Sequence, residues 1–121
     1  MASPLQPHGA LSRGAFAVAV LISLAVLFAP PSDVPPSPYG IDKLVHGLLF
    51  AVLALTGRWA GVGRGGLAGL LVLYAAVSEI IQSTDLVNRN GSVADLVADV
   101  TGVLVGLLVW ERSVRRRRAS V

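Results

Sequence analysis

The sequence predicts an all-α integral membrane protein, a bundle of four transmembrane helices with the N-terminus and the C-terminus in the cytoplasm. Of its 121 residues, 54% are hydrophobic and only 14% are charged, and the mean hydropathy is +0.70. A soluble domain of this size is less apolar and carries more charge. Because a membrane-spanning helix needs about 20 mainly apolar residues, the chain has room for four spans and for little else. We therefore expect function in or beside the membrane.

The first predicted span covers residues 14–29, which are uncharged and rich in Leu, Val, Ala and Phe. Residues 1–13 contain two prolines and few apolar side chains, so a disordered cytoplasmic tail is predicted there. Five prolines in residues 30–40 end the first helix and form a stiff connection. A cleaved signal peptide is the alternative for this first span. It is less favoured, because no Ala-x-Ala-like cleavage site precedes the proline run.

Hydrophobic stretches separated by short polar turns predict the other three spans. Together with the first span they form one transmembrane domain at residues 14–110. The predicted spans are residues 42–57, 65–83 and 92–110. Residues 111–121 are predicted to be a basic cytoplasmic tail.

The basic residues predict the orientation of the helices. Eight of them fall on one side of the predicted spans, namely Arg13, Arg58, Arg64, Arg112, Arg115, Arg116, Arg117 and Arg118; only Lys43 and Arg89 fall on the other. By the positive-inside rule the richer side is cytoplasmic. Trp59 and Trp110 fall at the same interface, where aromatic rings are favoured. The arginine run from 115 to 118 is expected to contact anionic lipid of the inner leaflet, so the net charge of +3 does not indicate a nucleic-acid partner.

The charge-free parts of the last three helices are too short to cross a bilayer. They comprise residues 44–57, 65–78 and 100–110, or roughly 21, 21 and 16 Å against a hydrocarbon core of about 30 Å. Each helix must therefore draw neighbouring polar residues into the membrane. These residues, all at the extracytoplasmic end, are Asp42, Lys43, His46, Glu79, Gln82, Ser92, Asp95 and Asp99, with Arg89 in the adjoining turn.

Residues three or four apart share a helix face, so each of the three helices presents one polar face. Since lipid does not solvate carboxylates, these faces are expected to meet in an outward-facing polar pocket. Simpler explanations exist for some members. Asp42 can cap the second helix, Ser92 with Asp95 fits a capping box, and His46 can be a hydrogen-bonded packing element. Glu79 has no local capping role and is the strongest candidate for a working site.

Two pairs of glycines match the small-xxx-small pattern of closely packed membrane helices. They are Gly65 with Gly69 and Gly102 with Gly106. We expect both pairs to lie at helix–helix contacts. Cysteine is absent, which excludes disulfides and thiolate chemistry, and no usual metal-ligand spacing occurs, so neither a metal nor another cofactor is predicted.

Three blocks of the sequence resemble the VanZ-like membrane protein family. They are Asp42-Lys-Leu-Val-His46, Glu79-Ile-Ile-Gln82 and Arg89-Asn-Gly-Ser-Val-Ala-Asp95 leading to Asp99, within residues 41–106. Gly47 and Asp99 depart from the family pattern, which has an aromatic residue and an asparagine there, so no family role is carried over to position 99. The resemblance implies a link to the cell envelope and to glycopeptide-antibiotic resistance.

The favoured function is binding of a polar head group in the outward pocket. The head group would belong to a lipid, a cell-wall precursor, or a lipopeptide or glycopeptide antibiotic. One alternative is an enzyme acting on a lipid-linked substrate, with Glu79 or His46 as general base and Lys43 or Arg89 near an anionic group. No nucleophile elbow or phosphate loop supports it. The other is a proton- or ion-coupled transport component, which with four short helices would need to be a homo-oligomer.

Overall fold

The computed structural model describes residues 9–28, 41–82 and 93–119, with the side chains at positions 41, 42, 82 and 117–119 outside the description. All regular secondary structure in these ranges is helical, which confirms the predicted all-α bundle. The four helices are α1 (Ala10–Phe28), α2 (Ile41–Trp59), α3 (Arg64–Gln82) and α4 (Val93–Ala119).

Three helices are longer than predicted, α2 by Ile41 at its start and by Arg58 and Trp59 at its end. α1 begins at Ala10, so residues 10–13 belong to the helix and not to a disordered tail, while residues 1–8 lie outside the described part. α4 continues through the arginine run to Ala119, where a separate basic tail was predicted. The physical reason is that neither proline nor glycine follows Trp110 to end the helix, and arginine is a good helix former.

Three of the helices are long and apolar enough to cross a membrane. These segments are Ala10–Phe28, Arg64–Ile81 and Val93–Arg116. α2 has the same 19-residue length as α1 but includes Asp42, Lys43 and Arg58. It contacts all three other helices. The side chains of Lys43 and Arg58 are 28% and 21% exposed and form ion pairs with acidic residues of α4, so protein groups compensate these two charges.

α2 and α3 run antiparallel in a register that two contacts define. The rings of Phe50 and Tyr74 lie 5.6 Å apart, and the side chain of Leu67 lies against Gly57. Between these contacts α2 advances by seven residues while α3 retreats by seven. The residues that follow Tyr74 on α3 therefore approach the beginning of α2.

α2 and α4 run parallel and form the closest helix pair. A Cβ on Gly102 would overlap the backbone carbonyl oxygen of Gly47, and a Cβ on Gly106 would lie 2.5 Å from the carbonyl oxygen of Ala51. Only glycine permits this distance between the two backbones. The predicted packing role of Gly102 and Gly106 is confirmed.

The prediction of close packing at Gly65 and Gly69 is wrong for the described residues. Both glycines are exposed, and nothing would lie within 4 Å of a Cβ on either. The face of α3 that enters the bundle consists instead of Leu67, Leu71, Ala75 and Ser78. Larger side chains make more van der Waals contacts with the neighbouring helices than glycine makes, so the face with Leu67 and Leu71 enters the bundle and the glycine face points outward.

A glycine-dependent turn joins α2 to α3. The amide of Val62 donates to the carbonyl of Gly57 at 3.0 Å, and the amide of Gly61 donates to the carbonyl of Arg58 at 3.0 Å. These two bonds make a Schellman motif, whose C′ residue needs the left-handed conformation. Gly61 supplies it with a φ of 99°. The motif reverses the chain within a few residues and brings Arg58 and Arg64 to the same end of the bundle.

Candidate functional site

The centre of the candidate site is a buried contact between α2 and α4. Nδ1 of His46 and Oδ1 of Asp99 lie 2.8 Å apart, and the two residues are 4% and 0% exposed. This distance is short enough for a hydrogen bond between the two side chains. The second carboxylate oxygen of Asp99, Oδ2, is buried and accepts no hydrogen bond from the described residues.

A second ionic contact lies one helical turn away. Nζ of Lys43 is 3.5 Å from Oδ1 of Asp95, and the Lys43 side chain is 28% exposed while that of Asp95 is 8% exposed. The two contacts follow from the parallel direction of α2 and α4, because a step of three residues on one helix matches a step of four on the other. Asp95 also lies in the first turn of α4, where a negative charge interacts favourably with the helix dipole. This favourable position adds to its ion pair with Lys43.

Glu79 lies level with this pair of contacts. It stands five residues after Tyr74 on α3, and Val45 stands five residues before Phe50 on α2, so the antiparallel register places Glu79 beside the turn of α2 that holds His46. The carboxyl groups of Asp99, Asp95 and Glu79 all lie within electrostatic range of the imidazole of His46. Three helices therefore deliver titratable groups to one level of the bundle.

The structure brings five of the nine predicted site residues to this level. They are Lys43, His46, Glu79, Asp95 and Asp99. Asp42 and Gln82 lie at the adjoining ends of α2 and α3, but their side chains are outside the described residues, as are Arg89 and Ser92 altogether. The predictions that concern these four residues remain predictions.

The composition of the cluster limits the ligands that fit it. Among the described residues, the cluster combines the carboxyl groups of Glu79, Asp95 and Asp99 with one lysine and one imidazole. Oδ2 of Asp99 lacks a donor within the described residues, and an unsatisfied buried acceptor is costly. Because this oxygen is not solvent-accessible, a ligand would reach it by rotation of the carboxylate or displacement of His46. In the described ranges, no three histidine or acidic residues are placed to hold a metal ion.

A second charged cluster, at the opposite end of the bundle, was not predicted as a site. Glu111 on α4 lies 3.4 Å from Nη2 of Arg58 and 3.7 Å from Nη1 of Arg64. One sequence signal could have revealed it. Arg58 follows His46 by twelve residues and Glu111 follows Asp99 by twelve, so parallel helices that place His46 and Asp99 at one depth also place Arg58 and Glu111 at one depth.

Comparison with known proteins gives no relative: no family model, curated protein or solved structure matches the chain.

Proposed function

We propose that this chain is a multi-pass membrane protein of the bacterial cell envelope that binds a polar head group at the level of His46 and Asp99. The head group belongs to a lipid, a cell-wall precursor, or a lipopeptide or glycopeptide antibiotic. The observation that carries the proposal is the buried His46–Asp99 contact with one carboxylate oxygen left without a donor among the described residues. The VanZ-like sequence blocks supply the link to the envelope.

The arginines support an orientation in which this site faces outward. Arg58 and Arg64 lie at the opposite end of the bundle, and Arg112, Arg115 and Arg116 extend beyond that end on α4. Positive charge is retained on the cytoplasmic side of membranes. The proposal therefore places the arginine end in the cytoplasm, with Arg115 to Arg118 against anionic lipid, and the His46–Asp99 level near the outer surface.

Labelling of single cysteines tests this orientation, because the chain contains no native cysteine. We expect a membrane-impermeant maleimide to label Val93→Cys in intact spheroplasts and to label Ser113→Cys only after the membrane is opened. Val93 begins α4 at the site end, and Ser113 lies beyond Glu111 at the arginine end. Labelling of Ser113→Cys in intact spheroplasts would contradict the proposed orientation.

The buried Oδ2 of Asp99, which accepts no hydrogen bond from the described residues, favours a ligand that carries N–H or O–H donors. A primary ammonium group fits best, because it offers donors and a positive charge to the Asp99 carboxylate. Phosphatidylethanolamine has such a group, whereas phosphatidylcholine has the same phosphate and a quaternary ammonium without N–H donors. These two lipids form a matched pair of probes.

We expect the protein in mixed nanodiscs to retain phosphatidylethanolamine over phosphatidylcholine, as measured by native mass spectrometry. Asp99→Asn should lower this preference by about tenfold, because an amide nitrogen replaces one acceptor oxygen and the charge is lost.

Tyr74→Phe is the matched control for this experiment. It removes the buried hydrogen bond between the Tyr74 hydroxyl and Oγ of Ser23, which measures 2.8 Å and lies outside the site. The lipid preference should remain unchanged in this variant. Equal retention of both lipids by the unmodified chain would contradict the proposal that the ligand carries N–H or O–H donors.

A second candidate function is catalysis on a lipid-linked substrate. The observation that favours it is that Asp99 holds Nδ1 of His46 at 2.8 Å, as an orienting carboxylate holds a general base. The other imidazole nitrogen, Nε2, would then take the proton. Conversion of a radiolabelled lipid-linked precursor by the purified protein, abolished in His46→Ala, would favour catalysis over binding. If the precursor stayed unchanged, catalysis would be excluded.

A further inference from the structure

The cluster of Arg58, Arg64 and Glu111 carries more positive than negative charge. Two guanidinium groups share one carboxylate, at 3.4 and 3.7 Å. The cluster is twelve residues from His46 along α2, or about 18 Å. It is therefore spatially separate from the His46–Asp99 level, and the proposed head-group site does not use it.

Both arginines keep donor capacity that the described residues do not use. Nη1 of Arg58 donates to the carbonyl of Val62 at 2.9 Å and Nη2 to Glu111, while its Nε is buried without an acceptor in the described ranges. Arg64 has a single, longer ion pair with Glu111, and its side chain is 67% exposed. A planar guanidinium with free N–H groups is suited to bidentate binding of a phosphate.

The first turn of α3 adds backbone donors beside Arg64. The amide of Leu67 donates to the carbonyl of Gly63, so the amides that precede it are not used within the helix. No acidic side chain lies in this turn, and a Cβ on Gly65 or Gly66 would meet nothing within 4 Å. An anion can therefore approach the positive end of the helix dipole next to the two arginines.

We propose that Arg58, Arg64 and the first turn of α3 bind the phosphate of an anionic membrane phospholipid, with Glu111 as an internal competitor for the arginines. Phosphate is the shared chemistry of a lipid and of free phosphate. The surroundings favour the lipid, because Leu70 and Leu73, 61% and 60% exposed, continue along α3 from the glycine turn. Acyl chains can follow this apolar surface while the phosphate stays at the helix end.

Tryptophan fluorescence tests the proposal directly, since the only two tryptophans of the chain are Trp59 and Trp110, which adjoin Arg58 and Glu111. The full-length protein is reconstituted in phosphatidylcholine vesicles that contain acyl-brominated phosphatidylglycerol, and the quenching is compared with that of brominated phosphatidylcholine. We expect stronger quenching by the anionic lipid. Arg64→Ala should lower its relative association constant by about tenfold.

Two further variants make the result specific. Arg116→Ala removes an exposed arginine of the same end that forms no ion pair within the described ranges, and it should reduce the association clearly less than Arg64→Ala. Glu111→Gln should increase the association several-fold, because the internal competitor is lost while a similar shape remains.

The outcomes that overturn the proposal are distinct. Equal losses in Arg64→Ala and Arg116→Ala would indicate general surface attraction, and no gain in Glu111→Gln would exclude the competitor role. Displacement of the brominated lipid by millimolar inorganic phosphate would assign the site to free phosphate. It would overturn the proposal that the ligand is a lipid. None of these measurements depends on Asp99, so the two proposals succeed or fail separately.

Discussion

His46→Ala is expected to lower the free energy of unfolding by about 3–5 kcal/mol, the usual cost of leaving a buried charge without its partner. Asp99 is 0% exposed, and Nδ1 of His46 is the only hydrogen-bond partner of its carboxylate in the described part of the chain. Removal of the imidazole leaves both carboxylate oxygens without a donor among the described residues. The measurement is reversible unfolding of the purified protein in mixed micelles, or steric trapping in bilayers.

A double variant separates the role of this pair in stability from its role in binding. His46→Leu with Asp99→Leu removes both polar groups together, and such replacements of a whole buried pair are often neutral or stabilising. We expect it to regain most of the stability and to lose the preference for phosphatidylethanolamine. A stable double variant that kept the preference would show that the pair has a structural role only.

Tyr74→Phe again supplies the comparison, because it deletes a neutral buried hydrogen bond to Ser23 and leaves no charge behind. Its expected cost is about 1 kcal/mol. If His46→Ala destabilised the protein no more than this control, Asp99 would not need His46 as a hydrogen-bond partner. The central contact of the proposed site would then be refuted.

The second large effect is expected at Gly102. The added methyl group of Gly102→Ala would overlap the backbone carbonyl of Gly47, and backbone cannot rotate away as a flexible side chain can. α4 must therefore move away from α2, which also lengthens the His46–Asp99 contact on the same helix pair. Because overpacking costs about 1–3 kcal/mol and the obstacle here is backbone, we expect a loss near 3 kcal/mol.

Gly69→Ala is the matched control for Gly102→Ala, since it adds the same methyl group to a helical glycine. Nothing lies within 4 Å of the added atom, so the substitution should be neutral or stabilising by up to about 1 kcal/mol from helix propensity. The same unfolding assay compares the two variants. Equal stabilities would mean that α2 and α4 are not in close contact at Gly102.

The pairing of side chains could be predicted only in part from the sequence. The expectation that polar residues of three helices share one end followed from short apolar stretches and alternating direction, and the structure places Lys43, His46, Glu79 and Asp95 at one level. The sequence did not predict that His46 contacts Asp99 or that Lys43 contacts Asp95. Depth along a helix depends on sequence position, whereas the choice of partner depends on which faces of two helices meet.

The two glycine pairs show the same difference between what the sequence predicts and what helix packing decides. Gly65 with Gly69 and Gly102 with Gly106 have identical spacing, yet only the second pair lies at a close helix contact in the described bundle. A pattern of small residues identifies a face that permits close approach. Whether another helix approaches depends on the side chains elsewhere on α3, where Leu67 and Leu71 take the buried positions.

The sequence by itself determined the all-α class, the approximate positions of the four helices and the end of the bundle to which each described charged residue belongs. These properties depend on hydrophobicity and position along the chain, which are local. The tertiary structure decided that α2 and α4 are the closest pair, that His46 holds Asp99, and that Glu111 joins Arg58 to Arg64. Such contacts depend on how the helices are rotated and packed, because a side chain 53 residues away in sequence becomes a neighbour only when two helix faces meet.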